Sequence, residues 1–241
     1  MANRVRKLIE KGAPAIGAHA KIPSPTVVEI AANAGLDFVR ADHYHWPYDE
    51  HTLRAIADTA AALDITPWVR CACDPIIITS MLEYGFRGFT LPCVASASQA
   101  SMAVQTIDRF VEKAVGIERE DILLGCAIEN REGLESFEKI AALSGVDVLS
   151  TGPSDLAFAL GERDKSSAKV QAEYTRILEQ SISRGKNVYL STRTSPTEWE
   201  KTRVWIRKGA RIIIIEEEYR VLMKHLLASE TSPSKHEEKQ P

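Results

Sequence analysis

Short apolar runs alternate along this chain with longer stretches whose apolar residues recur every three or four positions. That alternation predicts parallel strands joined by crossover helices. Eight runs read as strands: residues 15–20, 38–43, 67–71, 88–92, 122–129, 146–152, 187–192 and 211–217. Helical spacing is clearest over 26–34, 51–63, 75–84 and 170–183. Gly35, Gly85, Gly145, Gly185 and Gly209 stand at helix-to-strand joins, where a glycine can serve as a C-terminal cap.

Eight such repeats in 241 residues fit a single-domain α/β protein, a (β/α)8 TIM barrel, which typically takes about 250 residues. An open doubly wound sheet is the competing architecture, but no G-x-G-x-x-G follows the first strand. Residues 1–230 are assigned to the barrel domain. The polar end, 231–241, has too little apolar surface to pack and is expected to be disordered.

Composition narrows the function classes. Hydrophobic residues at 44% and charged residues at 26% suit a soluble enzyme. With 30 Lys+Arg against 33 Asp+Glu and no basic run, nothing points to nucleic acid. The longest aliphatic run, 212–215, is far below membrane-spanning length. The basic start MANRVRKLIEKGAP lacks the apolar core and cleavage site of a signal peptide. Cys71, Cys73, Cys93 and Cys126 form no C-x-x-C pair, and are read as free buried thiols of a cytoplasmic protein rather than disulfides or zinc ligands.

In a barrel all strand C-termini open on one face, so charged groups at strand ends converge there. Glu129 and Asp155 end the fifth and sixth predicted strands, and two hard oxygen donors can share one divalent cation while leaving positions for substrate. The other reading is that both simply begin helices, whose N-termini favour acidic residues. Asp42 and His45 stand three apart as the second strand ends; a carboxylate beside an imidazole supports a general base, although a surface loop would look alike. Arg70 ends the run TPWVR, where a guanidinium needs an anion: a substrate oxygen, or an ion pair with Asp42 or Glu129. Arg193 offers a further cation at the same face or is solvated.

These residues stand in a longer order: A-G-x-D-F, D-x-x-H-x-P, V-R-x-x-x-D-P, an L-P strand end, I-E-x-R-E-G and G-P-x-D-L. In this the chain resembles the HpcH/HpaI family of metal-dependent class II pyruvate aldolases, relatives of macrophomate synthase and citrate lyase β-type enzymes. The resemblance implies that Glu129 and Asp155 ligate Mg²⁺, Mn²⁺ or Co²⁺. Arg70 would face the oxo and carboxylate oxygens of a 2-oxo acid, Gly152 and Ser154 would receive its carboxylate, and His45 with Asp42 would form the acid–base dyad. The implied reaction is reversible cleavage of a 4-hydroxy-2-oxo acid into pyruvate, or a close homologue, and an aldehyde, without a Schiff-base lysine. Decarboxylation of an oxaloacetate-like acid, CoA-thioester cleavage and a non-catalytic oxo-acid-binding barrel are the alternatives.

The resemblance also implies a homo-oligomer, a hexamer or trimer, in which the C-terminal helix packs on or is exchanged with a neighbour. Tyr219, Leu222, Met223 and Leu226 supply its apolar stripe, which a helix facing its own barrel would share. The chain departs from the family pattern at Tyr44, where a glutamate is usual, at Ala127, where a glutamine is usual, and in a short 108–122 segment. Tyr44, Trp46 and Tyr48 are expected to crowd the mouth and favour a bulkier aldehyde.

Overall fold

In the computed structural model, which describes residues 3–228, eight parallel strands close into a barrel in sequence order. They are β1 (Ala15–Ala20), β2 (Phe38–Asp42), β3 (Thr66–Arg70), β4 (Gly88–Leu91), β5 (Leu123–Ala127), β6 (Val148–Ser150), β7 (Asn187–Ser191) and β8 (Ile212–Glu217). Helix α1 (Arg4–Glu10) precedes β1. The wall is made by α2 (Thr26–Asn33), α3 (Glu50–Ala62), α4 (Pro75–Glu83), α5 (Ala97–Val111), α6 (Arg131–Ala141), α7 (Pro153–Ala159), α8 (Ala168–Ser183) and α9 (Pro196–Lys208), with α10 (Glu218–Ala228) after the last strand. The predicted tail 231–241 lies outside the described residues. This is the expected (β/α)8 TIM barrel.

Local chemistry explains where strands give way to helices. Asp49, Asp74, Ser96, Asn130, Ser167 and Ser195 each accept a backbone N–H at a helix start. The caps act early on β5 and β6, which are shorter than the sequence suggested. Asn130 and the Gly152–Pro153 pair begin α6 and α7 at once, so Glu129 lies two residues beyond β5 and Asp155 in the first turn of α7. Neither is a strand residue.

Gly35, Gly85, Gly185 and Gly209 take the left-handed backbone expected of caps, but Gly145 does not. A Cβ there would lie 2.3 Å from Val104 Cγ1, so close approach to α5 is what demands glycine. The cysteines also differ from expectation in one respect: all four are free, yet Cys93 is exposed while Cys71 and Cys126 are buried. It follows β4 in the turn toward α5.

Inward residues alternate along each strand and build the barrel in rungs. Phe38, Trp68, Leu123, Val148, Tyr189 and Ile212 form the lower packed cluster, closed beneath by Val5, Leu8 and Ile9 of α1. Trp68 fits because β4 begins with Gly88: a Cβ on Gly88 would sit 2.2 Å from the indole ring. Its Nε1 donates to Thr90 Oγ1 at 2.8 Å. We expect Gly88→Ala to cost about 2 kcal/mol or more through overpacking, measured as a lower urea midpoint with an unchanged slope.

Helix α10 turns Leu222, Met223 and Leu226 outward, each at least half exposed. The stripe is therefore not a core face of its own barrel. The helix engages the barrel side through its polar and aromatic residues: Tyr219 stacks on Trp46 with ring centroids 6.3 Å apart, and Lys224 pairs with Glu216 of β8 at 2.6 Å. Among the described residues no helix is long and apolar enough to cross a membrane.

Candidate active site

The C-terminal ends of the strands open into a cavity of about 820 Å³, the end where barrel active sites form. Arg70 at the end of β3, Glu129 after β5, and Gly152, Ser154 and Asp155 at the start of α7 all line it. Arg193, just beyond β7, is exposed and lines it as well. Asp42 and His45 do not; Asp42 lies behind Arg70, and His45 sits on the exposed rim.

Asp42 is fully buried and holds Arg70 by a fork: Arg70 Nε donates to Asp42 Oδ1 at 2.8 Å and Nη2 donates to Oδ2. Register explains the meeting, because Asp42 and Arg70 are paired residues of adjacent strands, both pointing inward. Burial alone would raise the Asp42 carboxyl. The hydrogen bond and charge of Arg70, with Arg40 and His45 behind them, offset it and hold the group below the usual aspartate range. The His45 backbone N–H donates to Asp42 Oδ1 at 3.3 Å, and its Nδ1 is 3.6 Å from the same oxygen. One carboxylate thus serves a half-buried cation and a rim imidazole.

Glu129 is half-buried, and its carboxyl is pushed up first by burial and next by the negative charge of Asp155; Arg70 and Arg40 pull it partly back. Two carboxylates that repel each other across a partly dry cavity are what a bound cation would neutralise. Asp155 folds over the turn before it, so a Cβ on Gly152 would lie 2.8 Å from Asp155 Oδ2. Glycine at 152 keeps that carboxylate free to face the cavity. Among the described residues no cluster of three or more His, Cys, Asp or Glu side chains could hold a metal ion. A cation here would have two protein ligands, with the remaining positions left to substrate and water.

Several cavity residues escaped the reading of the sequence. His19, Arg40 and Tyr189 project inward from β1, β2 and β7 and line the floor. The signal was present, since Arg40 stands two residues before Asp42 and so shares its face in the run FVRAD. Tyr48, expected at the mouth, is instead buried with its hydroxyl donating to the Ala20 carbonyl, whereas Tyr44 and Trp46 are exposed.

Residues 16–212 match the family described as HpcH/HpaI aldolase/citrate lyase. The chain is similar to a pyruvate aldolase of Rhizobium etli, 32% identical over 178 residues, covering 66% of this chain and 70% of the relative. It is also similar to a hydroxypyruvate/pyruvate aldolase of Paraburkholderia phytofirmans, 33% identical over 204 residues, with 73% and 78% covered. Among solved structures, macrophomate synthase superposes with a TM-score of 0.73 at 17% identity, covering 93% of this chain and 88% of that one. At that identity the likeness is one of fold.

Proposed function

Because the chain belongs to the HpcH/HpaI aldolase/citrate lyase family, we propose that it is a divalent-metal-dependent aldolase that reversibly cleaves a 4-hydroxy-2-oxo acid to pyruvate, or a close 2-oxo acid, and an aldehyde. The observation that carries the reading is the convergence of Glu129, Asp155 and Arg70 on one cavity. Aldolases of pyruvate and hydroxypyruvate among its relatives support the substrate class.

Glu129 and Asp155 would hold Mg²⁺, Mn²⁺ or Co²⁺. Bound there, such an ion supplies a Lewis acid for the oxygens of a 2-oxo acid. Arg70, fixed in orientation by Asp42, presents its remaining N–H groups to the oxyanion that develops as the carbon–carbon bond breaks. The backbone amides of Gly152 and Ser154 receive the substrate carboxylate. His45, steadied by Asp42, exchanges the proton of the 4-hydroxyl from the rim through water. Tyr44 and Trp46, exposed beside it, would contact the aldehyde half.

The test is a screen of 2-oxo acid donors and aldehydes with and without added Mn²⁺, reading product masses directly. EDTA-sensitive release of pyruvate supports the proposal; ligand binding with no metal-dependent turnover would sink it. His45→Ala should lose about a hundredfold in kcat, the lower end of general acid–base contributions. A rim imidazole working through water is easier to replace than a cavity ligand.

A further inference from the structure

The floor of the cavity carries a cation that the chemistry above leaves unused. Arg40 is only 4% exposed, on the inward face of β2 between Phe38 and Asp42. Its Nη2 bonds His19 Nδ1 at 3.0 Å, and its guanidinium lies over the Tyr189 ring at 4.7 Å from the centroid. His19 is the acceptor there, since burial and then the charge of Arg40 hold its pKa well below the usual histidine value and keep the ring neutral. Among the described residues no carboxylate forms an ion pair with Arg40. Asp42, its nearest acidic neighbour along β2, is committed to Arg70.

Two buried polar atoms on this floor have no hydrogen-bond partner among the described residues: Arg40 Nε and the Tyr189 hydroxyl. A guanidinium removed from water without an anion is costly, and a planar fork of N–H donors is the side chain best matched to a carboxylate. A buried phenol left without a partner adds a donor at the same place. Both residues line the cavity, so an acid entering from the mouth would meet the Arg40 guanidinium beside them. Once a cation neutralises Glu129, the charge of Arg40 is less compensated still.

We infer that Arg40, backed by His19 and joined by Tyr189, is a specificity-determining anion site on the cavity floor, and that the acid it selects carries a second carboxylate besides the one received at Gly152 and Ser154. The first carboxylate rests on the proposed function; the second rests on Arg40 alone. In this reading His19 is a positioning residue that accepts one N–H and aims the others.

The test is calorimetric binding of two probes, 2-oxobutanoate with one carboxylate and 2-oxoglutarate with two, to the full chain in Mn²⁺ and again in EDTA. Wild type should prefer 2-oxoglutarate. Arg40→Met should weaken it by about tenfold or more, the loss of one charge-assisted contact, and leave 2-oxobutanoate unchanged. Arg40→Lys should keep part of the preference, which decides the matter if the methionine variant fails to fold. Equal loss for both acids, no loss, or no preference in wild type would overturn the assignment. Binding of 2-oxoglutarate that depends on Arg40 but not on Mn²⁺, with no metal-dependent binding of 2-oxobutanoate, would keep the anion site and remove the metal-dependent reading.

Discussion

Glu129→Ala and Asp155→Ala should each lower kcat/KM by roughly three orders of magnitude or more, the scale of losing Lewis-acid stabilisation of several kcal/mol, while the circular dichroism spectrum stays native. Neither side chain holds the barrel together. Glu129 burdens the metal-free fold, since burial and the Asp155 charge raise its pKa. A carboxyl raised in this way takes stability from the folded state as pH climbs from its unfolded value through its folded one, and the deficit persists above both. Metal-free Glu129→Gln, with no charge to bury, should therefore melt above metal-free wild type at pH 7. Adding Mn²⁺ should reverse the order, because only wild type retains both ligands and gains stability by mass action. A scanning calorimeter reads both orders, and an order unmoved by Mn²⁺ would remove Glu129 from the metal site.

The barrel was legible because its signal is repeated: eight apolar runs each had to be buried on both faces, and the glycines between them marked the joins. Strand ends were less legible, since apolar residues such as Ile128 continue past the last strand residue. The cap at Asn130, which starts α6, stands among Glu129, Arg131 and Glu132, so residue type alone does not single it out. Motif order drew attention to residues at the strand ends and away from Arg40, His19 and Tyr189 one rung below. Counting by twos from Asp42 would have found Arg40, because a charge in the middle of a buried strand is unusual wherever it occurs. Whether the α10 stripe faced its own barrel could not be read from periodicity, because inward and outward stripes have the same spacing. The side on which the chain leaves β8 decides it.

Arg70 is expected to fail in two separable ways. Arg70→Lys should lower kcat/KM by about a hundredfold, the loss typical of one oxyanion-stabilising group, because a point charge cannot hold Asp42 by a fork and also present donors to the cavity. Arg70→Met should also destabilise the fold by about 3 kcal/mol or more, since it strands the fully buried Asp42 carboxylate without its partner. The pH dependence identifies the cause. In wild type the depressed Asp42 pKa contributes stability that is complete above the unfolded aspartate value and is lost as pH falls through the folded one. In Arg70→Met the unpaired carboxyl is pushed up instead, so the stability gap between the two proteins should narrow on acidification. Adding Asp42→Asn to Arg70→Met removes the stranded charge and should recover much of the stability but none of the turnover. A double variant no more stable than Arg70→Met would mean that the guanidinium acts through packing rather than charge, and an Arg70→Lys enzyme with unchanged kcat/KM would make Arg70 a structural residue only.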